Sequence, residues 1–197
     1  MLQLQQQEYL EKENTQIKKD MAQPLFINRT DLVRNSIIDG NLDTSKFLYF
    51  IKLSQTIHIQ NYLGTDLYKE FETMITAGTL TEVDNPNHYS LMTNYVQPML
   101  IWFAQVDYIP FAAYQIKNGG VYKHTSENSE SATKEELDYL VAKAREYAEY
   151  YTRRFIDYMN FNNATFPAYN SNSNDDIDPS QDAVFNGWVL WDINQKK

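Results

Sequence analysis

Between residues 43 and 78 the chain repeats apolar side chains at steps of three and four: Phe47, Phe50, Ile51, Ile57, Leu63, Leu67, Phe71, Met74 and Ile75. That spacing is the helix period, and it gathers these residues on a face instead of alternating them across a strand. Asp43 or Thr44 can accept the free amide protons of a first turn. Gly64 interrupts the pattern where a left-handed residue would close one helix, Thr65 or Asp66 can cap the next, and Gly78 ends it. The stretch predicts a long helix, a tight corner and a short helix. Such a pair cannot bury its apolar faces alone, so other parts of the chain must supply further helices.

They are present in the sequence. Thr30 or Asp31 can cap a short helix carrying Leu32, Val33, Ile37 and Ile38, and Asp39-Gly40-Asn41 is a turn. The region from about His88 to Lys117 is the most apolar of the chain, as expected of a helix buried on several sides. Pro98 and Pro110 lie inside it, and each predicts a kink or short break. Asn118-Gly119-Gly120 stops this helix, and residues 121–132 read as an exposed polar loop. Thr133 and Glu136 have capping-box spacing. Behind them Leu137, Leu140, Val141, Ala144, Ala148, Tyr151, Phe155 and Met159 form one stripe of a helix running to about Asn160. The expected fold is all-α: a helical bundle over 25–166, a polar N-terminal arm over 1–24, and a linker with an aromatic C-terminal tail over 167–197.

Composition narrows the function classes. A chain of 197 residues without cysteine has no disulfide, no thiolate metal site and no cysteine nucleophile. No run of about 18 apolar residues exists, so no membrane span is expected, and the N-terminus lacks the pattern of a secretory signal. A net charge of −9 disfavours sequence reading of nucleic acid, which needs clustered Lys and Arg. The 15 tyrosines, 10 phenylalanines and 3 tryptophans suit protein interfaces, where one end of a ring is dry and the other wet, although a tyrosine-rich core rim would use them equally well.

Reactive constellations are scarce. Phosphate-cradling glycine loops, the nucleophile elbow and the paired-histidine zinc motif are missing. His58, His88 and His124 fall in different elements, and His58, between Ile57 and Ile59, reads as a core histidine satisfied by a tyrosine or a carbonyl. Asn170 to Asp176 alternates oxygen side chains like the start of a calcium loop, but the sixth position is Asp175 where glycine is required, and the twelfth is Gln181 where glutamate is required. Glu135, Glu136 and Asp138 crowd a helix start, where negative charge is favoured without catalysis. We therefore expect no enzyme activity, no cofactor and no metal. The last stretch differs from its surroundings: Phe185, Trp188, Val189, Leu190, Trp191 and Ile193 crowd into a few residues behind a Ser-, Asn- and Asp-rich linker. It either folds back on its own domain or docks on another chain, and its two tryptophans are of the type that anchors interfaces.

The order of several segments resembles a known family. FINRTDLVRNS with a following Gly-Asn turn, IKLSQTIHIQNYLGTDLY, YVQPMLIWFA, NGGVYKHTSENSESATKEEL and REYAEYYTRRFIDYMNFNNATFPAY resemble head-to-tail adaptor proteins of crAss-like and related Bacteroidota phages, over roughly residues 25–169. The resemblance implies a structural protein of the virion neck, assembled in the bacterial host cytoplasm. Its copies would form a ring, typically of twelve, below the portal protein. The ring extends the channel through which genome DNA passes without specific binding, and it gives neighbouring neck or tail ring proteins a docking surface. An acidic chain suits such a conduit, since like charge repels the DNA backbone. The expected interface residues are those of the C-terminal cluster together with Tyr122 and His124 in the loop after Gly120. A tail-completion or scaffolding factor is the alternative.

Overall fold

Helices account for nearly every element of the computed structural model, which describes residues 23–36, 44–112, 114–117, 120–123, 133–171, 173 and 176–182. Helix α1 spans Arg29–Asn35. Its cap is Asn28, upstream of the expected Thr30 or Asp31: the Asn28 side chain accepts from the amides of Thr30 and Asp31, and the Asp31 carboxylate accepts from the Asn28 amide. Asp31 thus serves as the far side of a capping box, a role usually held by Glu or Gln.

Helix α2 (Thr44–Ser54) continues through a π turn (Gln55–Ile59) into α3 (Gln60–Ala77). The expected corner is there: Gly64 sits at φ 73°, ψ 161°, and bends the rod. The Thr65 hydroxyl does not cap the following turn but serves the C-terminal segment, donating to Asp176 and accepting from the Ile177 amide. Gly78, at φ 71°, closes α3 as expected.

Helix α4 (Pro86–Leu91) passes through a second π turn (Met92–Val96) into α5 (Gln97–Ala112). The chain does not break at Pro98. The Gln97 amide bonds to Met92, and the widened turn lies where Pro98 has no proton to donate to the preceding turn. Pro110 has the stronger effect, since α5 ends two residues later and not at Lys117. Tyr114–Lys117 (β1) pairs antiparallel with Gly120–Lys123 (β2), Lys117 opposite Gly120 and Tyr114 opposite Lys123. The start of the expected loop is therefore one arm of a hairpin.

Helix α6 (Lys134–Asn162) begins at the expected Thr133–Glu136 capping box and, at 29 residues, is about 43 Å long. A 3₁₀ turn (Asn163–Thr165) and the short α7 (Pro167–Asn170) follow. Beyond them the chain crosses the α3 bend as an extended strap. Ser180 donates to the Asn61 carbonyl at 2.9 Å, Thr65 donates to the Ile177 carbonyl at 3.0 Å, and the Ile177 amide donates to Thr65 Oγ1 at 3.1 Å. Helix α5 is the axis of the bundle: α6 packs along it, α2 packs against it from another side, and Leu100, Phe103 and Ala104 are closed off between them.

Candidate assembly surfaces

The core-facing side of α6 carries Ala144, Ala148, Thr152, Phe155 and Met159, all buried. At about 100° per residue, Tyr139, Tyr147, Tyr150 and Phe161 fall on the opposite side, within about 80° of one another and along about 33 Å of the rod. They are exposed by 62, 47, 52 and 90 %, a large apolar area on a helix whose own core is already filled. Leu140, expected on the buried stripe, is exposed beside them. Some neighbouring rings are held in place: Tyr147 packs on Trp102 of α5 at 4.6 Å, and the Arg154 guanidinium lies over Tyr95 and Tyr151 at 5.4 and 5.9 Å. Lys143 and Glu146 pair at 2.7 Å within the same face.

A second aromatic surface lies where α2 meets the end of α5. Tyr49 and Phe111 are exposed by 62 and 57 %, with Phe50 between them at 5.4 Å from each ring. Tyr108 packs edge-on against Phe50 and Phe47, joining the surface to the core. On α5 the residues packed toward α6 (Trp102, Val106, Ile109) and those packed toward α2 and its π turn (Phe103, Asp107, Phe111) centre about 130° apart. The two aromatic surfaces thus open on different sides of the molecule.

Between α2 and α5 lies a polar pin. Ser54, fully buried, donates to Asp107 Oδ2 at 2.5 Å, and His58 Nε2 faces the same oxygen at 3.2 Å while its ring stacks on Phe103 at 4.1 Å. Serine, histidine and aspartate meet here, but not in nucleophile order: the Ser54 proton goes to the carboxylate and not to the imidazole. One partner of His58 is thus a carboxylate, beside the tyrosine or carbonyl expected from the sequence. His88 likewise lies 3.5 Å from Glu70, edge-on to Phe71 and Phe166. Among the described residues no group of three or more His, Asp or Glu converges to hold a metal ion. The described oxygens of the calcium-like run serve the strap instead: Asp66 accepts from the amide and hydroxyl of Ser173, and Asp176 accepts from Thr65 at 2.9 Å.

A cavity of about 260 Å³ opens at the far end of α3, lined by Leu25, Ile75, Leu80, Tyr89, Met92 and Gln97 among others. It lies beside the entry of the chain. There Gln55 accepts from the Phe26 amide at 2.9 Å and donates to the Pro24 carbonyl and the Tyr68 hydroxyl, and burial pushes that hydroxyl above its ordinary range.

Of the interface residues expected from sequence, Tyr122 lies in β2 opposite Gln115. Phe185, Trp188, Val189, Leu190, Trp191, Ile193 and His124 lie outside the described residues. The surface formed by Tyr139, Tyr147, Tyr150 and Phe161 is not among the expected contacts. Its signal is nonetheless in the sequence: a second, outward set of apolar residues at helical spacing, in a helix whose inward set is already complete.

Residues 59–178 match DUF6712, a family of unknown function, and the chain belongs to that family. No curated protein matches, and no solved structure matches.

Proposed function

We propose that this DUF6712 protein is a structural assembly subunit, a ring-forming protein of a phage neck that extends the DNA channel below the portal and docks the tail. The observation that supports it best is the pair of exposed aromatic surfaces on different sides of α5. A closed ring is built from a heterologous contact, in which one face of a subunit meets a different face of the next. The α6 surface and the α2–α5 surface are two such faces, each rich in the ring side chains that anchor interfaces. The resemblance to head-to-tail adaptors supplies the setting: self-association, contact with portal and neighbouring neck proteins, and DNA passing without specific binding.

The test combines single substitutions with mixing. The full chain is examined by mass photometry and electron microscopy, alone and with the portal protein of its parent particle. Closed rings are expected. Tyr150→Asp and Phe111→Asp should each abolish them, and an equimolar mixture of the two should stop at a dimer, because one good face remains on each variant. Rings that persist in both variants would sink the two-face reading. Absence of the chain from the parent particle would sink the neck assignment and favour a scaffolding factor.

A further inference from the structure

We infer that outside any larger assembly two copies of this chain pair through the outward face of α6, antiparallel and about a two-fold axis at Tyr150. The inference goes beyond the ring reading and does not rest on it. At about 100° per residue, Tyr139, Lys143, Glu146, Arg154, Asp157 and Phe161 all fall within about 40° of Tyr150 around the helix. In an antiparallel pair centred there, a residue some positions before Tyr150 faces the residue equally far after it in the other copy. Tyr139 then faces Phe161, Lys143 faces Asp157, Glu146 faces Arg154, and Tyr150 faces itself. At the flank Tyr147 faces Arg153, a ring against a guanidinium. Every contact but the central one occurs twice, because an isologous interface repeats each pair across its axis.

Charge selects this register. Parallel packing would set every charge against its own copy. Sliding one helix by three residues, so that Tyr147 meets Tyr150, would set Lys143 against Arg154. Among the described residues Arg153, Arg154 and Asp157 form no ion pair within the chain. Lys143 holds Glu146 at 2.7 Å on its own helix, so Asp157 and Arg154 of the second copy would close one network of four charges around that pair. The area is also sufficient. A whole aromatic side chain buries about 150–250 Å², so Tyr139, Tyr147, Tyr150 and Phe161, as exposed as they are, supply about 400–600 Å² per copy. Two copies reach about 800–1,200 Å² from the rings alone. Leu140 and the stems of Lys143 and Arg154 carry the total into the range of a stable interface, about 1,200–2,000 Å². The ring contact proposed above sets α6 against a different face, so a chain held in this pair would stay out of the ring until the two copies part.

The test is made on the full chain carrying Phe111→Asp. That substitution disables the second aromatic surface and with it the ring contact, so the outcome is independent of the ring reading. Sedimentation equilibrium should give a dimer. Adding Glu146→Arg, or adding Arg154→Glu, sets like charges against each other twice, and each should weaken the dimer about 10–100-fold with circular dichroism unchanged. Mixed in equal amounts, those two chains should recover it, since opposite charges meet again at both sites. Disulfide formation reads the register, the chain having no cysteine of its own. Tyr139→Cys alone and Phe161→Cys alone should stay uncrosslinked, their sulfurs about 33 Å apart across the axis, and a mixture of the two should crosslink. A starting chain that is monomeric at every concentration would overturn the inference. So would a dimer that both charge variants leave intact, a mixture of them that stays monomeric, or Tyr139→Cys crosslinking to itself.

Discussion

Gly64→Ala is the substitution with the most to say about how the C-terminal segment is held. Gly64 occupies φ 73°, ψ 161°, a region essentially closed to other residues, where a side chain costs about 1–3 kcal/mol. An added Cβ would also lie 2.7 Å from Pro179 Cγ, 2.8 Å from its Cδ and 3.2 Å from its backbone nitrogen. The proline ring cannot step aside, because hydrogen bonds at Ile177 and Ser180 bracket it. The strap must lift, losing three hydrogen bonds at about 1 kcal/mol each. Together these give a loss of about 4–6 kcal/mol. Gly78→Ala is the internal control: its φ is 71°, but nothing lies within 4 Å of the added carbon, so about 1–2 kcal/mol is expected. At about 2–4 °C per kcal/mol for a chain of this size, the midpoints should fall by about 8–24 °C and about 2–8 °C respectively. Urea unfolding followed by circular dichroism reads the stability difference, and amide exchange at Thr65 and Ser180 reads the strap. Equal losses at the two glycines, or an undiminished Thr65 amide in Gly64→Ala, would refute the reasoning.

Three further outcomes rest on the contacts of buried polar groups. Asp107→Ala removes the shared acceptor of buried Ser54 and His58 and should cost about 2–4 kcal/mol in urea unfolding, more than removal of an exposed carboxylate such as Asp157. Gln55→Leu strips the Phe26 amide, the Pro24 carbonyl and the Tyr68 hydroxyl of a partner, so residues 23–28 should lose protection in amide exchange before the rest of the bundle does, with a total cost of about 2–3 kcal/mol. Tyr62 is held neutral by burial and by the nearby carboxylates of Asp182 and Glu149, its pKa pushed up to about 12. Because the unfolded hydroxyl ionises near 10, this group's contribution is complete below pH 10 and disappears as pH rises through 12. Alkaline titration at 295 nm should show Tyr62 ionising in a late step shared with the other tyrosines that burial raises, Tyr68, Tyr158 and Tyr169, and Tyr62→Phe should shrink that step by one tyrosine.

The bundle is legible wherever apolar spacing and capping agree. Thr133 and Glu136 mark the start of α6, and Gly64 and Gly78 mark a bend and an end, because each signal depends on only a few neighbouring residues. The features that spacing does not reveal need more distant information. Asn118-Gly119 reads as a helix stop, although an Asn-Gly pair between short runs is also the strongest hairpin signal, and the pairing of Tyr114–Lys117 with Gly120–Lys123 is that alternative. Pro98 reads as a break only if the helix keeps its α period, whereas a π turn absorbs the missing donor. The strap is invisible in the sequence because the run 171–181 carries little apolar periodicity. Its order comes from side chains on α3, such as Thr65 and Asp66, more than 100 positions earlier in the chain. The aromatic face of α6 is masked by adjacency: Tyr150 and Tyr151 are neighbours in sequence, and only the second belongs to the core-facing half.

The two π turns have a structural consequence for how the described chain enters the body. Gln55 opens the first and Gln97 closes the second, and both reach Phe26: Gln55 accepts from its amide at 2.9 Å, and Gln97 donates to its carbonyl at 2.8 Å. Phe26 lies in no helix, yet it is buried against Tyr68 and Phe71, so its backbone groups need partners that a regular ladder does not provide. One extra residue in a turn rotates the rest of the helix by about 100°, and side-chain amides from two separate helices meet at the backbone of one residue. Gln23, just before it, donates to the Tyr68 hydroxyl on α3. The described chain thus enters the body through contacts with α3 and leaves it through the strap across the α3 bend.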